Sequence, residues 1–147
     1  MKLNIGSGNR YKKDYINLDI DPRYKVDILG DAKNLPFKNC IFNELYSRAV
    51  LEHFSWRDIF DILWEWRRVL DFGGRLIVIV PNWQWIKKEK KIAYEIVAWL
   101  FGAQRNRFDY HKSIFDKATL LMFFNQIGIN RTTMIEKDYY IKAEGIK

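Results

Sequence analysis

The reading of this chain turns on one stretch, Leu3-Asn4-Ile5-Gly6-Ser7-Gly8-Asn9-Arg10, with the acidic pair Asp19 and Asp21 just beyond it. The apolar residues Leu3 and Ile5 read as a short buried strand over residues 2–5. It runs into Gly6-Ser7-Gly8, a turn in which backbone can approach a ligand without Cβ atoms in the way. A second apolar run, residues 15–18, ends at Asp19. In a parallel sheet these two strand ends are neighbours, and ligands sit outside the carboxyl ends of the strands. A glycine loop beside a carboxylate suits a nucleoside, because the carboxylate can accept from two ribose hydroxyls. The plain alternative is a tight turn followed by a solvated aspartate. A dinucleotide fingerprint fits worse, since it wants a third glycine, a full helix and an acid about 20 residues on. Here Asp19 follows Gly8 after eleven residues.

The rest of the chain extends this pattern. Residues 26–28 read as a third strand and residues 41–47 as a fourth. Ser55 reads as a helix cap, with apolar residues at Ile59, Ile62, Leu63, Trp66, Val69 and Leu70 in helical spacing and Gly73-Gly74 closing the helix. Residues 75–80 are a continuous apolar strand of the kind buried on both faces. Residues 83–101 read as one helix with a basic cluster at Lys87, Lys88, Lys90 and Lys91. Asp116 caps a helix carrying Leu120, Phe123, Phe124 and Ile127, closed by Gly128. Residues 132–136 and 139–144 form an antiparallel hairpin about Lys137-Asp138. Strands alternating with helices predict an α/β sheet, and 147 residues predict a single domain over 1–147.

Composition narrows the class. The chain is 48% hydrophobic and 29% charged, as expected of a globular domain, and its 16% aromatic content is high enough to line a pocket or an interface as well as a core. No apolar run approaches the length of a membrane span. The single cysteine, Cys40, points to a reducing compartment, and the N-terminus enters a strand directly, so a cytoplasmic location is expected. The net charge of +7 is read first as a lysine-rich solvated surface, since no nucleic-acid module is present. The basic 83–101 segment has three readings: a solvated lysine face, a site for an anionic substrate, or a membrane-surface helix.

Five segments together resemble the class I S-adenosylmethionine (SAM)-dependent methyltransferases, in their small type 11 domain group. Leu3 to Gly8 resembles the first motif and Asn17-Leu-Asp-Ile-Asp21 the ribose-binding acidic motif. Gly30-Asp-Ala-Lys-Asn-Leu-Pro-Phe37 resembles the loop over adenine, and Ser47-Arg-Ala-Val-Leu-Glu-His53 the segment facing the methionine part. Arg68 to Leu76 resembles the helix-to-strand turn, and the region from His111 to Ile129 the last helix. The resemblance implies a Rossmann-like, mostly parallel seven-stranded sheet with its last strand antiparallel. Here the helices between the first four strands are shortened or missing, and Arg10 stands where a third glycine is usual.

SAM is the implied cofactor, and the implied contacts run residue by residue. Asp19 would take the ribose hydroxyls, and Gly6 and Gly8 would give backbone room. Asp31 and the backbone of Ala32 would hold adenine, and Ser47 and Arg48 would lie near the methionine end. Methyl transfer needs mainly alignment, with a base where the acceptor carries a proton. His53 and His111 are the only histidines, so they are the candidate catalytic residues; a structural histidine and an exposed loop residue are the plainer alternatives. Cys40 is expected to be inert, and no metal ligand set is expected.

Three functions follow: methyl transfer to a small-molecule or glycan acceptor, a methyltransferase-fold binding module without chemistry, and nucleic-acid methylation suggested by charge. Spacing also predicts an assembly. Only nine residues (6–14) separate the first two expected strands and seven (19–25) the next two, against the roughly 10–12 that a parallel crossover takes. A bare apolar sheet face there would need cover, either from the 83–101 segment or from a homodimer with tryptophans in the contact.

Overall fold

In the computed structural model, which describes residues 1–88 and 94–147, one seven-stranded sheet organises the chain. The strands are β1 (Lys2–Ile5), β2 (Ile16–Asp19), β3 (Ile28–Leu29), β4 (Phe42–Arg48), β5 (Leu70–Pro81), β6 (Asn130–Glu136) and β7 (Tyr140–Ile146). Their order is β3-β2-β1-β4-β5-β7-β6. The first five pair in parallel, and β7 runs antiparallel to both β5 and β6. Strand order reverses between β1 and β4, which is where an open α/β sheet forms its ligand crevice. The helices are α1 (Ile59–Val69), α2 (Trp83–Lys88), α3 (Tyr94–Phe101) and α4 (Lys117–Gln126), and a 3₁₀ turn spans Leu51–His53.

The two sheet faces differ in chemistry. Leu3, Ile5, Leu18, Leu45, Leu76, Val78, Val80, Ile141 and Ala143 alternate onto one face and are fully buried with the apolar residues of α1 and α4. The period of 2 in the strands and the i, i+3, i+4 spacing in α1 meet there. The opposite face carries Asn4, Asn17, Glu44, Tyr46, Arg75, Lys142 and Glu144, with Ile77 and Ile79 among them on β5. Arg75 donates from Nε to Glu44 at 2.9 Å and pairs with Glu144 at 3.0 Å, and Lys142 pairs with Glu144 at 2.7 Å. The Tyr15 hydroxyl also donates to Glu44, and Lys12 sits over the Tyr15 and Tyr46 rings. Burial pulls the Glu44 carboxyl upward, but the hydrogen bonds from Tyr15 and Arg75 outweigh it and hold it below its ordinary value.

This face corrects the reason given for a homodimer. The crossovers around β2 lack helices, as expected, but the surface they leave is polar rather than apolar, so no apolar cover is required. The crossover loops are tied down by amides instead of by a packed helix. Asn17, fully buried, accepts from the Lys12 N–H at 2.8 Å and from Asn4 at 2.9 Å, and donates to the Lys12 and Tyr15 carbonyls and to Asp27, each at 2.9 Å. Asp27 in turn accepts from the Asn17 N–H at 2.8 Å and the Tyr11 hydroxyl at 2.8 Å, and the bonds from Asn17 hold its carboxyl below the usual range.

The third strand lies at Ile28–Leu29 and not over 26–28, and three further boundaries differ from expectation. Ser55 does not cap α1. The helix starts after Asp58, whose side chain bonds Lys33 at 2.6 Å rather than the helix N-terminus. Gly73-Gly74 does not end the helix either. The chain enters β5 at Leu70, and Asp71 to Gly74 form a bulge, because Phe42 pairs with Leu70 and Glu44 with Arg75. The expected single helix over 83–101 is two described helices, and Lys90 and Lys91 lie outside the described residues. Asp116 caps α4 as expected, accepting from the Thr119 N–H at 2.8 Å. No described helix is long and apolar enough to cross a membrane.

Candidate functional site

The loops after β1, β2, β3 and β4 open onto one cleft of about 780 Å³, closed on its far side by α3 and the 103–112 loop. Gly6, Gly8, Asp19, Asp31, Ala32, His53 and His111 all line it. Ser47 and Arg48 do not: Ser47 is buried beside Val78 in the sheet, and Arg48 is the last residue of β4, one position before the chain turns into the cleft wall.

Asp19 closes β2 with its side chain at the mouth of the glycine turn. One carboxylate oxygen accepts from the Gly8 N–H at 2.8 Å and the other from the Asp21 N–H at 2.9 Å. A carboxylate offers about four lone-pair sites, so capacity remains on each oxygen for a donor from the cleft. Gly6 and Gly8 both lie in the left-handed region, at φ of +63° and +49°. They are needed for different reasons. A Cβ on Gly6 would stand 2.3 Å from a Val50 methyl, whereas one on Gly8 would meet nothing within 4 Å. Gly6 is therefore required by close approach of the turn after β4, and Gly8 by its backbone conformation alone.

Asp31 accepts from the Lys33 N–H at 2.9 Å, which shapes the loop after β3. The Ala32 carbonyl accepts from the Trp66 indole at 2.9 Å, so a fully buried residue of α1 fixes this wall. Asp21, read from sequence as a strand-end cap, also lines the cleft. Bidentate hydrogen bonds from Arg23 hold its carboxyl down at about 2.

The wall after β4 carries the titratable cluster. Ala49, at φ +56°, swings the chain out of the strand, and Leu51–His53 form the 3₁₀ turn. Glu52 is 1% exposed, and neither of its carboxylate oxygens has a hydrogen-bond partner among the described residues. Burial pushes its carboxyl up to about 8. The Glu52 carbonyl accepts from the Lys112 and Ser113 N–H groups at 2.7 and 3.1 Å, which clips the 103–112 loop against this turn. That clip brings His111 to His53, with ring centroids 4.9 Å apart and edge-on. Burial lowers both imidazoles' basicity, and for His53 the neighbouring His111 adds to it. His53 and His111 stand out from sequence as the only two histidines, whereas Glu52 does not. The signal was there: an acid set between Leu51 and His53 in a segment otherwise written for burial.

A family model described as a methyltransferase domain matches residues 6–78, the part that builds the glycine turn, Asp19, the Asp31 loop and the His53 wall. No curated protein sequence matches the chain. Among solved structures, a SAM-dependent methyltransferase from Archaeoglobus fulgidus superposes with a TM-score of 0.72 at 12% identity, covering 99% of this chain and 85% of that one. One from Aquifex aeolicus gives 0.66 at 12% identity, with 99% and 80% covered. The 1,6-didemethyltoxoflavin-N1-methyltransferase of Burkholderia thailandensis, solved with 1,6-didemethyltoxoflavin and S-adenosylhomocysteine bound, gives 0.66 at 12% identity, with 99% and 70% covered. With its seven-stranded sheet and its crevice at the strand-order reversal, the chain has the Rossmann-like fold of the class I SAM-dependent methyltransferases, and its residues 6–78 match the methyltransferase-domain family.

Proposed function

We propose that residues 1–147 act as one domain that transfers a methyl group from SAM to a hydroxyl-bearing small molecule or glycan, in a cytoplasmic setting consistent with the free Cys40. The observation that carries the reading is Asp19: a buried carboxylate at the end of β2, held on each oxygen by one backbone N–H and still able to accept from two vicinal hydroxyls. SAM supplies an activated methyl on a sulfonium. The protein's work is then alignment, for which an effective concentration gain replaces most of the need for acid–base help. In this reading Asp19 takes the ribose, Gly8 fixes Asp19, Gly6 lets the glycine turn pass Val50, and Asp31 with the Ala32 N–H takes the adenine. Ser47 and Arg48 have no part in it, since neither lines the cleft. His53 and His111 stand at the acceptor end.

A cleft of about 780 Å³ is in the range for a cofactor together with a small acceptor, and Tyr94, Trp99 and Phe108 give the acceptor end apolar walls. Calorimetry with SAM and with S-adenosylhomocysteine tests the reading directly. Asp19→Ala should weaken SAM by about 2–3 kcal/mol, near the range for hydrogen bonds to a charged group. Equal affinity in parent and variant would remove Asp19 from the site. A fold that binds neither compound would leave a binding module of another kind, and salt-dependent uptake of nucleic acid would move the acceptor class to nucleic acid.

A further inference from the structure

We propose that Glu52, His53 and His111 form a binding site for a single divalent transition-metal ion of the Zn²⁺ or Co²⁺ type, open towards the cleft. One ligand atom from each residue can be chosen so that all lie within 4.8 Å of one another. With bonds of about 2.0–2.2 Å, a tetrahedral ion holds its ligand atoms roughly 3.4 Å apart, so the three side chains need to close by at most about 1.4 Å.

Three features of the cluster point to a cation. The first is Glu52. A buried carboxyl group whose oxygens both lack a hydrogen-bond partner among the described residues is a rare and costly arrangement, and each such group calls for a missing partner. Arg10 is near enough to favour its charged form but makes no hydrogen bond to it. The second is the pair of imidazoles. His53 Nδ1 lies 3.2 Å from the Tyr110 carbonyl oxygen, and His111 Nδ1 lies 2.8 Å from that of Trp99. A carbonyl oxygen only accepts, so both Nδ1 atoms carry the proton and both Nε2 atoms keep a free lone pair. Metal-bound histidines are oriented in this way, by donation from the other ring nitrogen to a backbone carbonyl. The third is the count. Two imidazoles and one carboxylate, all lining the cleft, make three protein ligands with a coordination position left for a molecule in it.

The proposal rests on the methyl-transfer reading only for the ion's use, not for its binding. In that use, a hydroxyl oxygen of the acceptor takes the open position. Coordination would lower the hydroxyl's pKa and let its proton pass to solvent; the oxygen would then form its bond to the SAM methyl carbon as the carbon–sulfur bond breaks, with S-adenosylhomocysteine as the leaving group. The acceptor class that fits is an alcohol, phenol or sugar hydroxyl.

The test uses the full chain without a polyhistidine tag, stripped with a chelator and desalted. Titration calorimetry with Zn²⁺ should give one ion per chain, and Co²⁺ should develop the visible absorption of a four-coordinate nitrogen–oxygen site. Mg²⁺, which prefers oxygen ligands, should bind far more weakly. Loss of an outer hydrogen bond to a metal ligand typically costs 10–100-fold, so losing a ligand outright in Glu52→Gln or His111→Ala should weaken Zn²⁺ by at least about 100-fold. SAM affinity, measured in parallel, should be retained in both variants. His111→Gln serves if His111→Ala fails to fold, and the parent's Co²⁺ spectrum needs no variant. The proposal is overturned if the parent takes up no stoichiometric ion, or if both variants bind it as tightly as the parent. It is also overturned if the parent binds no ion and Glu52→Gln loses SAM, which would give Glu52 to the ammonium group of the cofactor. A parent that binds Zn²⁺ but not SAM would sink the methyl-transfer reading and leave the metal site standing.

Discussion

Replacing each glycine of the first turn by alanine separates two costs that sequence motifs run together. Gly8→Ala places a side chain in open space at φ +49°, so only backbone conformation changes. An L residue in the left-handed region costs about 1–2 kcal/mol, and that is the expected loss of stability. Gly6→Ala carries the same backbone cost at φ +63° and adds a Cβ 2.3 Å from Val50 Cγ2 and 3.3 Å from Cγ1. Forced overpacking adds about 1–3 kcal/mol, for about 2–5 in all. Val50 stands at the start of the turn that carries Glu52 and His53, so the strain falls on the wall of the site. Shortening Val50 to alanine removes the clashing methyls at its own cost of about 1–3 kcal/mol. In that background Gly6→Ala should cost only about 1–2 kcal/mol, so the double-mutant cycle should show about 1–3 kcal/mol of coupling. Urea denaturation of the four proteins, followed by circular dichroism with a check that the m-value is constant, measures it. Gly6→Ala costing the same in both backgrounds, within about 0.5 kcal/mol, would refute the close approach as the reason for Gly6.

Asn17→Ala should destabilise by about 2–4 kcal/mol, since it orphans several part-buried backbone and side-chain groups at about 1 kcal/mol each; a variant as stable as the parent in urea would show that solvent replaces the network. The Asp27 carboxyl, held low by Asn17, contributes stability that is fully present above the ordinary aspartate range and lost as pH falls through its depressed value, so acid unfolding of Asp27→Asn should show a shallower pH dependence. Asp116→Ala removes the cap of α4 and should cost about 1 kcal/mol in the same denaturation assay. Arg48→Ala should leave SAM affinity unchanged by calorimetry, because Arg48 lies outside the cleft lining, and a marked loss would reopen its role at the methionine end.

The elements written into short-range pattern were legible from sequence. Leu3 and Ile5 alternate into a buried strand, Ile59 to Val69 keep helical spacing, and Asp116 stands three residues before the N–H it caps. Gly6, Gly8 and Asp19 converge because strand ends are neighbours in a parallel sheet, so their place could be read before any coordinates. Elements set by pairing could not. The bulge at Asp71 to Gly74 exists because β4 and β5 fix each other's register, and two adjacent glycines read equally well as a helix stop. The reading of Ser47 and Arg48 stopped one residue short of Ala49, whose left-handed turn carries the chain into the cleft wall. Glu52 and His111 meet through long-range hydrogen bonds, above all those that clip residues 112 and 113 to the Glu52 carbonyl, a contact about sixty positions apart in the chain that no local pattern encodes.

The amide-tied crossovers have a consequence for how the molecule opens. The edge formed by β2 and β3 is short, lies over the core on one side only, and is secured on the other by loop hydrogen bonds instead of a packed helix. Such a region is the natural low-energy unit of partial unfolding, well below the cost of opening the β4-β5-β7 centre. It is also the region that ends in Asp19 and leads into Asp31. A nucleoside bridging those two carboxylates would act as a tie rod across the weakest seam of the sheet, slowing amide exchange in β2 and β3 while leaving the helix-backed centre unchanged.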